Sequence, residues 1–129
     1  MKSKTKYTLC NGLNESAKTI LKNNMEKGFD DAYNLGELLM LITSELSEAL
    51  ESHRKGKFSN WVSYQKDLSD CGEIESFKLH IKDTFEDEIA DAIIRLLDLV
   101  GRLNIDIEKH INAKVSFNKS RPYKHGKNY

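Results

Sequence analysis

The chain has 129 residues, of which 39% are hydrophobic and 31% are charged, and twenty basic residues balance twenty acidic ones. This length predicts one domain with a modest core, and zero net charge argues against a surface built wholly for nucleic acid. The longest strongly apolar run, residues 38–42, is far too short for the about 20 residues of a membrane span. The two cysteines, Cys10 and Cys71, lack metal-type spacing and suggest reduced thiols in the cytoplasm. We therefore expect a soluble, cytoplasmic protein without a membrane partner.

Apolar residues recur with the 3.6-residue period of α-helices through the central hundred residues, and the single proline is Pro122. The expected fold class is therefore all-α. The first helix is predicted over residues 14–27, with Asn14 as its N-cap, and the second over residues 35–55. A glycine follows each of these helices and supplies its stop.

The pattern weakens after the second helix, where residues 60–70 are predicted to form a short helix. A long helix is predicted from Ile74 or Lys78 to Val100, and a last one begins near Ile105 and fades by Pro122. From Lys109 onward there are six basic and no acidic residues. We expect residues 1–129 to form one domain with a short N-terminal tail and a basic C-terminal tail.

Two carboxylate pairs with i, i+3 spacing are the most informative feature for function. Glu45 and Glu48 lie in the second predicted helix, and Glu88 and Asp91 lie in the long one. On a helix this spacing places both side chains on one face, about 5–6 Å apart. If the two helices pack together, four hard oxygen donors converge, as Mg²⁺ and a phosphorylated substrate require.

Each pair also has a structural interpretation. Glu45 borders the apolar face of its helix. It therefore either has a cation, a network of hydrogen-bond donors or a metal as partner, or lies at the rim with its carboxylate in water. In the long helix, the acidic and basic residues fall on one stripe, which is most often a solvated face with weak ion pairs. The members of this stripe are Asp87, Glu88, Asp91, Arg95, Asp98 and Arg102.

Four short motifs in order resemble the MazG-type all-α nucleoside triphosphate pyrophosphohydrolases over residues 14–127. The first is Glu26-Lys27-Gly28-Phe29, and the second runs from Glu45 to Glu51 with Arg54 and Gly56 after it. The third is Phe85-Glu86-Asp87-Glu88-Ile89-Ala90-Asp91. The fourth is Lys114-x-x-x-Asn118-x-x-Arg121, which is followed by Pro122-Tyr123-Lys124.

The resemblance implies an enzyme that cleaves between the α and β phosphates of a nucleoside triphosphate, releasing monophosphate and pyrophosphate. House-cleaning of the nucleotide pool is one role within that family. Glu45, Glu48, Glu88 and Asp91 are the implied catalytic and metal-binding residues, with Mg²⁺ as cofactor and Mn²⁺ as a substitute. Lys27, Lys114, Asn118 and Arg121 are the implied substrate-binding residues.

The resemblance further implies a four-helix core that is completed by oligomerisation, as a homodimer or a homotetramer. The broad apolar faces of the predicted helices are consistent with that. The alternative is a helical interaction module without enzymatic activity, whose basic tail binds protein or nucleic acid. Zero net charge disfavours nucleic acid as the partner. An interaction module does not need Mg²⁺, whereas the enzyme would depend on it. A test of Mg²⁺ dependence therefore distinguishes the two hypotheses.

Overall fold

A computed structural model describes residues 12–29 and 32–126. Within those ranges the chain forms five α-helices and no strand, which confirms the all-α class. The helices are α1 (Leu13–Glu26), α2 (Leu35–Arg54), α3 (Trp61–His80), α4 (Phe85–Arg102) and α5 (Ile107–Ser120), and a 3₁₀ turn (Tyr123–Gly126) follows. None of these helices has both the length and the apolarity needed to cross a bilayer. The predicted N-terminal tail lies outside the described residues.

The described residues divide into two compact units, one of residues 12–29 with 97–126 and one of residues 32–96. In the first unit, α1 and α5 cap each other. Asn14 Oδ1 accepts hydrogen bonds from the backbone N–H groups of Ile107 at 3.0 Å and Glu108 at 3.4 Å. In return, Glu108 Oε1 accepts from the backbone N–H of Asn14 at 3.5 Å. Each side chain thereby satisfies donors that a helix start leaves without an intrahelical partner.

The sequence predicted Asn14 as the N-cap of α1, and this prediction is wrong. The helix starts one residue earlier, with Gly12 as its N-cap and no side-chain capping bond. The amide of Asn14 instead serves the start of α5. The sequence correctly indicated that Asn14 caps a helix. The helix that it caps, however, is α5, whose first residue is 93 positions further along the chain.

In the second unit, α2 buries one stripe of residues at i, i+3 and i+4 spacing: Ile42, Glu45, Ala49 and Ser52. The predicted position of Glu45 on the apolar side of the helix is therefore confirmed. The N-terminus of α2 is capped by Asn34, whose side chain accepts from the backbone N–H of Glu37 at 3.0 Å. Ser52 Oγ donates to the carbonyl of Asp83, which ties α2 to the segment before α4.

The predicted short helix over residues 60–70 and the first turns of the predicted long helix together form α3. Gly72 breaks it with φ 82° and ψ 173°, a conformation that residues with a Cβ rarely adopt. The half after Gly72 folds back, so that Ser76 Oγ donates to the carbonyl of Tyr64 at 3.2 Å. Asp67 Oδ2 and His80 Nε2 lie 2.6 Å apart across the same bend.

The long helix starts later than the sequence predicted, at Phe85 instead of Ile74 or Lys78. Asp83 has φ 62°, a left-handed conformation that ends the preceding turn. Thr84 Oγ1 donates to the carbonyl of Ile81 and accepts from the backbone N–H of Asp87 at 3.4 Å. A threonine in that capping position is a typical start of a helix, and it is the sequence signal for this boundary.

Candidate metal centre

Three of the four predicted carboxylates meet between α2 and α4. One carboxylate oxygen from each of Glu45, Glu48 and Glu88 lies within 4.8 Å of the other two. Glu45 and Glu88 are each only 7% exposed, whereas Glu48 is at the solvent side. One exposed and two buried carboxylates form a pocket of negative charge that is open on one side.

Asp91 does not belong to this group of three oxygens. It lies one turn further along α4, is partly buried, and remains close enough for the charges of Glu45 and Glu48 to act on it. Burial is the main cause that raises the pKa of Asp91, and repulsion by Asp87 and the two glutamates adds to it. Its role as a fourth ligand stays a prediction.

Glu88 is the most perturbed carboxyl of the site. Burial first, and then the charge of Glu48, a hydrogen bond with Glu45 and the charge of Asp91 raise the pKa of Glu88 to about 7. These causes all penalise a negative charge on Glu88, which is buried and has other carboxylates beside it. Such a carboxyl takes up either a proton or a cation near neutral pH.

A cation already partners one member of the group. Arg95 Nε donates to Glu45 Oε1 at 2.6 Å, a charge-assisted hydrogen bond between α4 and α2. The side chain of Glu45 is 9% exposed and that of Arg95 is 42% exposed. Glu45 is thus a buried carboxylate with a cationic partner, one of the alternatives that the sequence left open.

The solvated face proposed for α4 is wrong, because two members of its polar stripe are buried. Glu88 and Asp98 are each 7% exposed. Asp98 pairs with Arg102 at 2.7 Å, with only 10% of either side chain exposed, and it also accepts from Asn24 Nδ2 at 2.8 Å. The charged residues of α4 therefore form internal networks, one in each compact unit.

A small cleft of about 260 Å³ adjoins the carboxylates. It is lined in part by two lysines that were not predicted from the sequence as site residues. Four carboxylates line it, those of Glu48, Glu51, Asp83 and Glu88, together with Lys55 and Lys57, which follow the end of α2. Lys55 Nζ also pairs with Glu51 at 3.3 Å. Two lysines directly after the helix that carries Glu48 were the available sequence signal, since lysines beside a cleft can bind an anion.

The predicted substrate-binding residues belong to the first unit, whereas the four carboxylates belong to the second. Lys27 is the exposed C-cap of α1. On α5, Lys114 Nζ lies 5.1 Å and Arg121 Cζ 5.7 Å from the centre of the Phe117 ring. The backbone N–H of Arg121 donates to the carbonyl of Asn118, so these three residues cluster at the end of α5. Their role in binding substrate stays a prediction.

No protein-family model, curated protein or solved structure significantly matches the chain. The chemistry of the site therefore rests on its own residues. Three clustered carboxylates, two of them buried, with an arginine on one side and lysines on another, suit a hard divalent cation and an anionic ligand.

Proposed function

We propose that this protein is a Mg²⁺-dependent nucleoside triphosphate pyrophosphohydrolase of the MazG type. It cleaves between the α and β phosphates and releases a nucleoside monophosphate and pyrophosphate. The observation that supports this most is the convergence of Glu45, Glu48 and Glu88, which come from the two motifs that resemble that family. Removal of aberrant nucleotides from the cellular pool is a role consistent with that reaction.

The donor set suits Mg²⁺. Carboxylate oxygens are the ligands that Mg²⁺ prefers, and one from each of the three glutamates lies within 4.8 Å of the other two. Mn²⁺ accepts the same oxygen ligands and would serve as a substitute. When bound, the metal would neutralise phosphate charge and lower the pKa of a coordinated water. Glu45, Glu48 and Glu88 would hold it, with Asp91 as the predicted fourth ligand.

The remaining residues have separate tasks in this proposal. Arg95 fixes the orientation of Glu45 through their hydrogen bond. Glu48, whose carboxylate is exposed, is the member best placed to accept a proton from the attacking water. Lys55 and Lys57 line the same cleft and would pair with phosphate oxygens. No covalent nucleophile is needed, because water attacks the α phosphorus.

The proposed enzyme is also a homo-oligomer, either a dimer or a tetramer with a four-helix core. Its support is one stripe of exposed apolar residues on α2, where Leu39, Leu46 and Leu50 are 46%, 51% and 51% exposed. Exposed apolar stripes of this size are typical of contact surfaces between subunits. Sedimentation equilibrium at micromolar concentration measures the mass directly, and a mass of 14.8 kDa would overturn this part of the proposal.

The deciding experiment measures monophosphate and pyrophosphate release from a panel of nucleoside triphosphates, with Mg²⁺ and with chelator. Glu48→Ala and Glu88→Gln are compared with Glu75→Gln, a surface variant whose carboxylate pairs only with Lys78 at 3.1 Å among the described contacts. We expect Mg²⁺-dependent release that both site variants lose and Glu75→Gln keeps. An oligomeric, folded protein without release from any triphosphate would instead favour the interaction module.

A further inference from the structure

A second cleft in the unit of residues 32–96 borders Asp91 and has a different chemical character. Its volume is about 510 Å³, within the about 300–1,000 Å³ of small-molecule sites. One part of its wall is apolar, formed by Tyr64, Ile74 and Phe77 of α3. The other part is charged, formed by Glu73, Lys78, Lys82, Asp83, Asp87 and Asp91.

The bend of α3 creates this cleft. Because Gly72 reverses the chain, Tyr64 from the first half of α3 and Phe77 from the second half face the same space. The Ser76–Tyr64 hydrogen bond fixes the two halves against each other. Ile74 is 71% exposed and Phe77 is 38% exposed, which are large fractions for apolar residues beside a cavity. An apolar ligand surface placed there would remove them from water.

The apolar wall of the cleft indicates which part of a nucleotide enters it. Four carboxylates line it against two lysines, and both lysines already have acidic partners, Glu75 at 3.1 Å and Asp83 at 2.6 Å. The cleft of Lys55 and Lys57 is also lined by four carboxylates and two lysines, but it has no aromatic wall and contains two members of the proposed metal centre, Glu48 and Glu88. In the second cleft, an uncharged aromatic ring would meet Tyr64 and Phe77. Asp91 links this cleft to the carboxylate group, because it lines the cleft and interacts with Glu45 and Glu48.

We propose that the cleft lined by Tyr64, Ile74 and Phe77 binds the nucleobase of the triphosphate whose phosphates bind at the carboxylates. This inference rests on the pyrophosphohydrolase function proposed above. Carboxylate oxygens accept hydrogen bonds but cannot donate them. Uracil and thymine also have a donor, the ring N3–H, but two carbonyl oxygens flank it and a carboxylate repels these. The cleft therefore favours bases with an exocyclic amino group, namely cytosine, adenine and guanine, over thymine and uracil. Glu73, outside the metal-binding group, is the carboxylate assigned to this selection.

The test compares KM for CTP and UTP with the inhibition constant of inorganic triphosphate, which carries no base. Removing an aromatic surface with Tyr64→Ala or Phe77→Ala should raise KM for CTP by roughly fivefold to a hundredfold, which is the range that a base–aromatic stack is worth. The inhibition constant of inorganic triphosphate should stay unchanged. Trp61→Ala is the matched control, because the Trp61 ring lies 5.2 Å from that of Tyr64 but does not line the cleft.

The selectivity is tested with Glu73→Gln, whose amide both donates and accepts hydrogen bonds. It should lower the ratio of kcat/KM for CTP to kcat/KM for UTP. If the wild type hydrolyses triphosphates and neither aromatic variant has a higher KM for CTP than the wild type, the assignment of the base to this cleft is wrong, while the proposed function stands. If the wild type prefers UTP to CTP, the proposed selectivity for bases with an exocyclic amino group is wrong. If it hydrolyses no triphosphate, the proposed function itself is wrong.

Discussion

Arg95 Nε and Glu45 Oε1 lie 2.6 Å apart and join α4 to α2 at the point where the carboxylates of the candidate metal centre meet. This hydrogen bond compensates the charge of Glu45, whose side chain is 9% exposed and has two other glutamates beside it. Without a cationic partner, a buried carboxylate in such a place would be costly. The pair therefore contributes to stability and also fixes a residue of the proposed site.

Replacing Arg95 by Gln should lower the free energy of unfolding by about 1–3 kcal/mol, because it leaves the buried carboxylate of Glu45 without its partner. Urea denaturation measures this change. The matched control is Lys78→Gln, which breaks the Lys78–Glu75 pair, whose side chains are 57% and 56% exposed. Exposed pairs contribute about 0–1 kcal/mol, so the control should stay within that range. Equal losses in both variants would contradict the assigned role of Arg95.

The stability of the protein should fall as pH rises from about 4.5 to about 7. The pKa of Glu88 is about 7 in the folded state against 4.5 for an unperturbed glutamate, so the folded state binds more protons in this range. The free energy of unfolding decreases with pH wherever the folded state binds more protons than the unfolded state. For Glu88 the decrease over this pH range is about 1–3 kcal/mol. The raised pKa of Asp91 acts in the same direction.

The variant Glu88→Gln removes most of this pH dependence and should be more stable than the wild type above about pH 7, since its neutral side chain needs no proton. Unfolding midpoints in urea across that range provide the measurement. Glu75→Gln serves as the control, because the Glu75 side chain is 56% exposed. A Glu88→Gln variant with the same pH slope as the wild type would show that other groups cause the dependence.

Added Mg²⁺ should raise the melting temperature more at about pH 8 than at about pH 5.5, because protons compete with the metal for Glu88. At a free Mg²⁺ concentration one hundred times its dissociation constant, the gain in unfolding free energy is about 2.7 kcal/mol. Thermal unfolding in Mg²⁺ and in chelator measures it, and Mn²⁺ should act likewise. Glu48→Gln and Glu88→Gln should lose the effect, whereas a loss in Glu75→Gln would point to non-specific charge screening.

Asn14→Ala should destabilise the first unit by about 1–2 kcal/mol, because the backbone N–H groups of Ile107 and Glu108 lose their acceptor. Circular dichroism during chemical denaturation measures this loss. The control is Asn112→Ala, at an exposed position inside α5, where alanine is the better helix former and should be neutral or slightly stabilising. An Asn14→Ala variant as stable as the wild type would mean that water replaces the cap without cost.

The late start of α4 and the bend in α3 show where sequence patterns were insufficient. Apolar periodicity continues through residues 74–84, so it predicted one long helix there. In the structure, Asp83 and Thr84 end that continuity through a left-handed residue and a hydroxyl cap. Periodicity measures which face is apolar and does not register a single backbone reversal, which is why the boundary was misplaced.

The sequence by itself determined the all-α class, the helical positions of the carboxylate pairs and the apolar side on which Glu45 lies. These are local properties, since they follow from side-chain spacing along one helix. Tertiary structure alone decided that Glu45, Glu48 and Glu88 converge, that Arg95 partners Glu45, and that Asn14 caps a helix distant in sequence. Those contacts depend on how separate helices pack against one another. The periodicity of residues within one helix does not specify which other helix it packs against.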